Sequence, residues 1–401
     1  MELLILLLIF AIIAAGIGLK KPLYLSMGLA AAVGFLFYGV PVAQLPHILH
    51  QGVLGQSTIN MVLAFYTITF LQRMLEKRQR LTQAEKAITR LFGSRRVNAM
   101  FTPFVVGMMP SAGAVLIAAP IVDRAAGEAL SRDERMFVSS FYRHISEAFL
   151  PTYANILLAL QLSGVKALPF LIGMTPMVLA LFALGYVFYV RKIPKVHAGE
   201  EAAATSGRQA AFMALFRSLW SIFAAVLLIL LLPLPIFLVV LGVIIMNIFV
   251  ERFSWQELKP MFRSALEIKL IVNTVFIMIF KEVLLASGAL HRLPTMFAGL
   301  PVPEALLYAL MMLLGAVIAG TQAMAAIVIP LAFTAGPDLP LLVLLMSTGY
   351  MAAQVSPPHI CLTIVAEYYR SSLAALVRKT LPVLAAFSAL ALAYYYLLRL
   401  I

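Results

Sequence analysis

Two short sequences of small and polar residues interrupt apolar stretches of the chain, and their residue types suit the binding of a solute. The first is Pro110-Ser111-Ala112-Gly113, within residues 101–122, and the second is Gly320-Thr321-Gln322, within residues 304–333. The apolar arms beside them are about ten to sixteen residues long, or roughly 15–24 Å at the helical rise. Most arms are too short to cross an apolar layer of roughly 30 Å, so each pair predicts a hairpin that turns back within the membrane.

Each predicted hairpin is followed by a helix that proline interrupts. The first break is Pro151-Thr152-Tyr153-Ala154-Asn155, and the second is Ser356-Pro357-Pro358-His359. Irregular backbone at membrane depth is tolerated only where it is buried in protein or lines a cavity, because lipid cannot satisfy its polar groups. Two such devices in corresponding halves of a membrane protein are the sequence pattern that points to a transport site.

The hydroxyl and amide side chains near these positions could coordinate a sodium ion. A dehydrated hard cation needs several oxygen ligands, and a broken helix leaves carbonyl oxygens without intrahelical partners. The sequence leaves open the alternative that each serine or threonine bonds a carbonyl of its own helix. The candidate ion-binding residues are Ser111, Thr152, Asn155, Thr321, Ser356 and Thr363.

Helix N-termini that meet at one place would favour an anionic solute, because their dipoles put partial positive charge there. Gly113 and Gly320 would let the backbone approach such a solute closely. His359 could donate a hydrogen bond to the solute or could be a structural histidine, and the sequence leaves both open. The candidate substrate-binding residues are Pro110, Ser111, Gly113, Gly320, Thr321, Gln322, Pro358 and His359.

Glu147 lies inside the predicted broken helix at residues 136–162. A carboxylate within a membrane is a candidate functional group by default, so Glu147 is the proton-coupling candidate. Equally, it could form an ion pair with Arg143, four residues earlier, that only orders the helix. Arg143 and His144 are expected near the inner end of this helix, where an arginine side chain can reach water; the alternative is that they attract an anion.

The composition indicates a membrane protein with many spans. Hydrophobic residues make up 63% of the 401 residues, charged residues 12%, and the mean hydropathy is +0.99. A water-soluble domain of this size could not bury so much apolar surface. The net charge of +13 is assigned to cytoplasmic loops by the positive-inside rule rather than to a nucleic-acid partner. Cys361 is the single cysteine, so no intrachain disulfide can form.

Hydropathy predicts an all-α fold with ten spanning segments and two re-entrant hairpins. The expected location is the cytoplasmic membrane of a prokaryote. With Lys20 and Lys21 on the cytoplasmic side, most Lys and Arg residues fall on the inner side, and both chain termini are predicted outside. The predicted hairpins are residues 100–123 (inner) and 304–334 (outer). The predicted spans are residues 2–19, 23–40, 57–76, 136–162 (broken), 168–190, 214–232, 235–250, 266–287, 339–369 (broken) and 378–398.

The polar stretch Arg191–Arg208 is the one long break in hydrophobicity and divides the chain near its middle. The sequence therefore predicts a first repeat at residues 1–195, a cytoplasmic linker at 196–213 and a second repeat at 214–401. Five spans in each half give the two repeats opposite orientations in the membrane. The order of elements carries this prediction, since sequence identity between the halves is low.

Two amphipathic stretches, Leu75–Arg96 and Ser254–Arg263, accompany the predicted spans. Apolar residues at helical spacing among many cations are typical of helices that lie in the inner membrane interface. The alternative is an ordinary solvated loop helix.

The sequence contains no HExxH, GxSxG or Walker A motif, and these motifs are the common signatures of metalloproteases, serine hydrolases and nucleotide-driven pumps. We therefore expect no enzymatic activity and no self-powered ATP transport. No cofactor is expected, and no metal beyond a possible Na⁺.

The two hairpin tips and the two proline breaks resemble those of the ion transporter superfamily, which includes divalent-anion/sodium symporters, gluconate and citrate permeases and the membrane subunits of TRAP transporters. The resemblance covers the whole chain as architecture and is closest to a branch of uncharacterised integral membrane proteins. It implies a homodimer in which a transport domain moves like an elevator against a scaffold domain. Carboxylate symporters of the group carry Ser-Asn-Thr at both tips. Here the tips read Ser-Ala-Gly and Thr-Gln-Ala, so dicarboxylate specificity is not carried over.

Together these patterns predict a secondary active transporter of a small organic anion, coupled to sodium or protons. The expected partners are the lipid bilayer, the anionic solute and a second copy of the chain. A channel, or the membrane subunit of a TRAP-like system that depends on a binding protein, is the alternative.

Overall fold

The structure, a computed structural model, describes residues 2–19, 21–91, 94–108, 114–194, 205–288 and 301–400. Within these residues all the secondary-structure elements are helices, which confirms the predicted all-α class.

The first half of the chain contains two helices that precede a bent pair, an amphipathic helix, a hairpin, a broken helix and a closing helix. They are α1 (Glu2–Gly18), α2 (Leu23–Phe37), α3 (Leu45–Leu54), α4 (Gln56–Lys77), α5 (Arg80–Leu91), α6 (Arg95–Gly107), α7 (Ala114–Ala126), α8 (Arg132–His144), α9 (Ala154–Ser163) and α10 (Ala167–Phe188).

The second half follows a similar order in its described residues. Its helices are α11 (Thr205–Leu231), α12 (Ile236–Val250), α13 (Trp255–Ser264), α14 (Ile268–Ala286), α15 (Glu304–Ala319), α16 (Thr321–Ala332), α17 (Leu339–Ala353), α18 (Ile360–Tyr368) and α19 (Leu373–Leu400).

Local sequence determines where several helices begin. Ser131 and Glu134 form a capping box at the start of α8, and Ser254 and Glu257 form another at the start of α13. In each box the two side chains satisfy backbone N–H groups that have no intrahelical partner. The Asp338 carboxylate accepts a 2.9 Å hydrogen bond from a backbone N–H in the first turn of α17.

Both predicted proline breaks occur where the sequence places them. Helix α8 is followed by a short 3₁₀ turn, Ile145–Ala148, and the chain becomes α-helical again at Ala154, beyond Pro151. Helix α17 ends at Ala353, and α18 begins at Ile360, beyond Pro357 and Pro358. Proline lacks the backbone N–H and its ring clashes with the preceding turn, so a helix cannot continue through these positions undisturbed.

The two predicted hairpins correspond to the packed pairs α6–α7 and α15–α16. The tip of the second is a single residue, Gly320, with φ +82° and ψ 152°. Only glycine adopts this conformation without strain, and the turn allows α16 to begin immediately after α15 ends. The tip of the first hairpin lies outside the described residues, and so do the predictions for Pro110, Ser111 and Gly113.

Four helical segments in the described part of the chain are long and apolar enough to cross a membrane. They are Val42–Lys77, Ala167–Phe188, Gln209–Leu231 and Leu373–Leu400. The described residues also contain shorter apolar helices of ten to seventeen residues, among them Leu23–Phe37 and Ile236–Val250. With the composition, these helices indicate a membrane protein, while the count of ten spans and the position of the termini stay predictions.

The structure differs from the sequence analysis at two helices. Residues 45–54 form α3, although the sequence analysis placed no element there; Pro46, His47 and His50 make this stretch too polar for a hydropathy criterion. Helix α11 begins at Thr205, so residues 205–213, placed in the predicted linker, are helical. Alanine, glutamine and arginine in that stretch are good helix formers.

The amphipathic stretch Leu75–Arg96 contains the end of α4 and the helix α5, separated by Gln79 with φ +50°. Ala84, Ala87 and Ile88 are buried, and α5 packs closely against α11. Its apolar face therefore packs against protein, and its location in the membrane interface stays a prediction.

Ion pairs join the end of α4 and the start of α5 to the α12–α14 region. Arg78 lies 2.7 Å from the Glu257 carboxylate, Arg73 lies 3.3 Å from Glu267, and Arg80 pairs with Glu251. These contacts link the two halves of the chain at one end of the helices that surround the core.

The core runs through α8, α16 and α17. Every residue from Met136 to His144 in α8 is buried, as is every residue from Ala323 to Leu331 in α16 and from Leu341 to Ala352 in α17. A core of this kind positions the ends of these helices rigidly, and the candidate site lies where they end.

Candidate functional site

A cavity of about 390 Å³ lies between the tip of the α15–α16 hairpin and both broken helices. A volume in this range suits a small organic molecule. The lining residues come from the 145–155 break, the Gly320 tip, the C-terminal part of α17 and the 356–361 break. They are Glu147, Tyr153, Ala154, Asn155, Gly320, Thr321, Gln322, Gly349, Tyr350, Ala353, Ser356, Pro358, His359, Ile360 and Cys361.

Three helices begin at the wall of this cavity. The residues that precede α9, α16 and α18 are Tyr153, Gly320 and His359, and none of these helices has a side-chain cap. The first-turn N–H groups of each helix are therefore left without a side-chain partner. Three uncapped N-termini give the cavity wall partial positive charge, which favours an anion.

Hydroxyl groups attach the hairpin tip to the second broken helix. Thr321 Oγ1 donates a 3.2 Å hydrogen bond to the Gly349 carbonyl oxygen, and Ser356 Oγ donates a 2.8 Å bond to the Val317 carbonyl oxygen. A Cβ atom at Gly349 would lie 2.9 Å from Thr321 Cγ2, so this close approach needs glycine. Because each hydroxyl donates its proton to the backbone, its oxygen lone pairs stay available to a cation.

An ion pair lies at the inner wall of the cavity. Arg143 Nη1 is 2.5 Å from Glu147 Oε1, and the Arg143 side chain is only 1% exposed. The expectation that Arg143 reaches water at the end of its helix is therefore wrong, and His144 is also fully buried. The reason is tertiary: α6, α7 and α18 pack on α8, and α17 packs on the 3₁₀ turn that follows it. The sequence of one helix does not reveal what lies against it.

The described part of the first hairpin packs against the first broken helix. The Tyr153 hydroxyl donates to the Gly107 carbonyl oxygen, and Ser146 Oγ donates a 3.1 Å bond to the Phe104 carbonyl oxygen. Gly107 itself lies directly against the backbone of Arg143. The last turn of α6 therefore supports the same break from which Glu147 and Tyr153 reach the cavity.

The structure brings most of the sequence-predicted site residues together. The lining residues among them are Glu147, Asn155, Gly320, Thr321, Gln322, Ser356, Pro358 and His359. Two others lie elsewhere. Thr152 has a buried hydroxyl without a hydrogen-bond partner among the described residues and does not line the cavity, and Thr363 lies on the exposed face of α18.

The sequence analysis did not select Tyr153, Tyr350 and Cys361, which also line the cavity. Tyr153 and Cys361 each lie within two residues of a selected position, so their sequence signal was their place in a break. Tyr350 lies in the last turns of an apolar helix, where an aromatic residue is ordinarily interpreted as packing, and nothing local identifies it.

Comparisons with known proteins place this architecture. The fold is similar to the crystal structure of the Alcanivorax borkumensis YdaH transporter, with a TM-score of 0.63 and 12% sequence identity, over 88% of this chain and 89% of that chain. At this identity the likeness shows the fold alone. No curated protein sequence matches the chain. A family model described as "Protein of unknown function (DUF401)" matches residues 2–398, and the chain therefore belongs to the DUF401 family.

Proposed function

We propose that this protein is a secondary active transporter of a small organic anion, coupled to sodium or protons. The main observation in support of the proposal is the cavity of about 390 Å³, which is lined by the first turns of three helices without side-chain caps. Interrupted helices that end at a shared cavity are the construction by which transporters bind an anion and its coupling ion. The similarity to the YdaH transporter fold supports this class.

Contacts between helices support the inverted repeat of residues 1–195 and 214–401. The first arm of each hairpin packs on the broken helix of its own half, α6 on α8 and α15 on α17. The second arm packs on the broken helix of the other half, α7 on α18 and α16 on α9. Likewise α4 packs on α12 and α14 on α2. Each of these contacts has a counterpart with the halves exchanged, which is what a pair of structural repeats produces.

Coupling follows from the chemistry of the cavity. Thr321, Ser356 and Asn155 supply oxygen atoms at helix breaks, where a sodium ion can complete the pocket for the solute. Moving a charged solute without its counter-ion through a low-dielectric region would cost much free energy. A protein that holds only the solute or only the ion should therefore not complete the transport movement. Proton coupling would instead use Glu147, which would have to exchange its contact with Arg143 for a proton.

We further propose that the protein is a homodimer in the cytoplasmic membrane. Each copy would carry the solute across by an elevator movement. The hairpins and broken helices would form the moving transport domain, and helices α1–α4 and α11–α14 would form the scaffold. The resemblance to the ion transporter superfamily supports this division.

The proposal is tested by exchange in proteoliposomes. A thermal-shift screen of organic anions, with and without Na⁺, first identifies a stabilising solute. Vesicles that hold this solute unlabelled should then accumulate the labelled solute from outside, saturably and dependent on Na⁺ or on a pH gradient. Unsaturable conductance would contradict a carrier and favour a channel, and uptake only with an added binding protein would favour a TRAP-like subunit.

Replacing Thr321 by leucine should reduce the rate of exchange at least about tenfold, the effect of losing roughly 1.4 kcal/mol of binding free energy. The larger side chain would fill the cavity beside Gly349 and remove the hydroxyl that bonds its carbonyl oxygen. The measurement is counterflow at equal amounts of folded protein. Thr175→Leu is the matched control, because Thr175 is exposed and bonds only its own helix. Unchanged exchange in Thr321→Leu would remove the hairpin tip from the binding site.

A further inference from the structure

Four potential metal ligands meet at one end of the cavity. They are His144, Glu147, His359 and Cys361, and one ligand atom from each lies within 4.8 Å of those from the other three. His144 and Glu147 belong to the first broken helix, and His359 and Cys361 to the second. The sequence analysis predicted no metal beyond sodium, because these pairs lie more than two hundred positions apart in the chain.

Both histidine rings are held with Nε2 free to act as a ligand. His144 Nδ1 lies 2.6 Å from the Ser140 carbonyl oxygen, and His359 Nδ1 lies 3.1 Å from the Ala353 carbonyl oxygen. A carbonyl oxygen only accepts, so Nδ1 of each ring carries the proton and Nε2 carries the lone pair. Metal-bound histidines are typically oriented in this way, by a hydrogen bond from the other ring nitrogen to a carbonyl or carboxylate.

The surroundings of the His144 Nε2 atom indicate that it binds a ligand. His144 is 0% exposed, and within the described ranges its Nε2 has no hydrogen-bond partner. A buried polar atom of this kind normally costs free energy unless something occupies it. The two rings are 4.7 Å apart between centroids and nearly perpendicular, so they contact each other edge to face without a hydrogen bond between them.

Glu147 can bridge two cations. Its Oε1 atom bonds Arg143 Nη1, while its Oε2 atom lies 3.8 Å from His359 Nε2. The carboxylate therefore keeps its arginine partner and still presents an oxygen to the histidines. Cys361, 5% exposed, completes the group with a sulfur atom.

We propose that this end of the cavity binds a divalent transition-metal ion of the zinc class through His144 Nε2, His359 Nε2, Glu147 Oε2 and Cys361 Sγ. Two imidazole nitrogens, one thiolate and one carboxylate oxygen match the preferences of Zn²⁺ and Co²⁺, whereas Na⁺, Mg²⁺ and Ca²⁺ prefer oxygen alone. Ligand atoms of a tetrahedral zinc ion lie roughly 3.3–3.8 Å apart, given bonds of about 2.0–2.3 Å. Side-chain rotations that draw the four together by about 1 Å would complete the site.

The charge of the site links the metal to an anion. The divalent metal and Arg143 are both positively charged. Glu147 and the Cys361 thiolate each carry one negative charge, so one positive charge of the site is left in excess. An anionic group in the remaining part of the cavity would balance it and could act as a further ligand. The metal proposal can be tested separately from the transport proposal, because metal binding can be measured without a membrane.

The test is a titration of the purified full-length protein, in detergent and without an affinity tag, with Co²⁺. Saturable binding of one ion should produce the visible bands of tetrahedral cobalt and the near-ultraviolet charge-transfer band of a cobalt thiolate, and Zn²⁺ should abolish both. Because Cys361 is the single cysteine, the thiolate band reports this residue alone. A folded protein that shows no thiolate band would overturn the proposal, while uptake of an anion could still be present.

Variants separate this site from adventitious binding. Cys361→Ser should abolish the thiolate band, and His359→Ala should weaken Co²⁺ binding at least about tenfold, in keeping with the effect of disturbing a metal site. His47→Ala is the control, because His47 is exposed on α3, and it should leave the affinity unchanged. The proposal would be contradicted if His359→Ala bound Co²⁺ as tightly as the unmodified protein, or if only His47→Ala lost affinity. In either case the cobalt would bind elsewhere.

Discussion

Replacing Glu147 by leucine is expected to destabilise the protein by about 3–5 kcal/mol, the usual cost of removing one partner of a buried ion pair. Arg143 would keep its charge in a position that is 1% exposed. Denaturant unfolding of the purified protein in detergent, with a chelator present, measures the change in the free energy of unfolding.

The double variant Arg143→Met with Glu147→Leu should recover much of this loss, because replacing both charges by apolar groups leaves no unpaired ion. Glu267→Leu is the matched control: its partner Arg73 and Glu267 itself are substantially exposed, and such surface pairs contribute about 0–1 kcal/mol. A stable Glu147→Leu protein, or a double variant as unstable as the single one, would contradict a structural role for the pair.

Glu147→Gln tests the other role of this residue, the proposed coupling to protons. The amide keeps the size and hydrogen-bonding capacity of the side chain but cannot release a proton. If Glu147 carries the coupled proton, solute uptake by the variant should no longer depend on a pH gradient, although exchange of solute persists. Uptake whose pH profile matches that of the unmodified protein would leave Glu147 as the partner of Arg143 only.

Gly107→Ala should be the second strongly disruptive change, with a loss of about 3 kcal/mol or more, at or beyond the usual upper range for overpacking. A Cβ atom there would lie 1.9 Å from the Arg143 carbonyl oxygen and 2.8 Å from its carbonyl carbon. Both atoms belong to the backbone of a buried helix, so no side-chain rotation relieves the clash. The hairpin would separate from the first broken helix, and the Tyr153 contact with Gly107 would be lost.

Gly242→Ala is the control for this variant. Gly242 also lies inside a helix, α12, but a Cβ atom there meets nothing within 4 Å. Alanine favours a helix over glycine by about 1 kcal/mol, so this variant should be as stable as the unmodified protein or more stable. Thermal unfolding midpoints of the two variants should therefore shift in opposite directions, and equal midpoints would contradict the packing of α6 on α8.

The positions of the helix breaks could be predicted because their causes are local. Pro151, Pro357 and Pro358 lie where a helix is interrupted, and Gly320 permits a turn that other residues resist. Other prolines do not end their helices, since α7 continues through Pro120 and α16 through Pro330. The same local reasoning selected eight residues that line the cavity. It did not find α3, because His47 and His50 lower the hydropathy of residues 45–54, although the structure shows that these residues are helical.

What the sequence determined by itself is the all-helical membrane class and the places where the backbone departs from a helix, because hydropathy and the conformational limits of proline and glycine act within a few residues. Only the tertiary structure decided that Arg143 is buried, that Tyr350 reaches the cavity and that His144 lies beside His359. These facts depend on which helices pack against one another, and contacts between residues more than two hundred positions apart leave no trace in the sequence around either one.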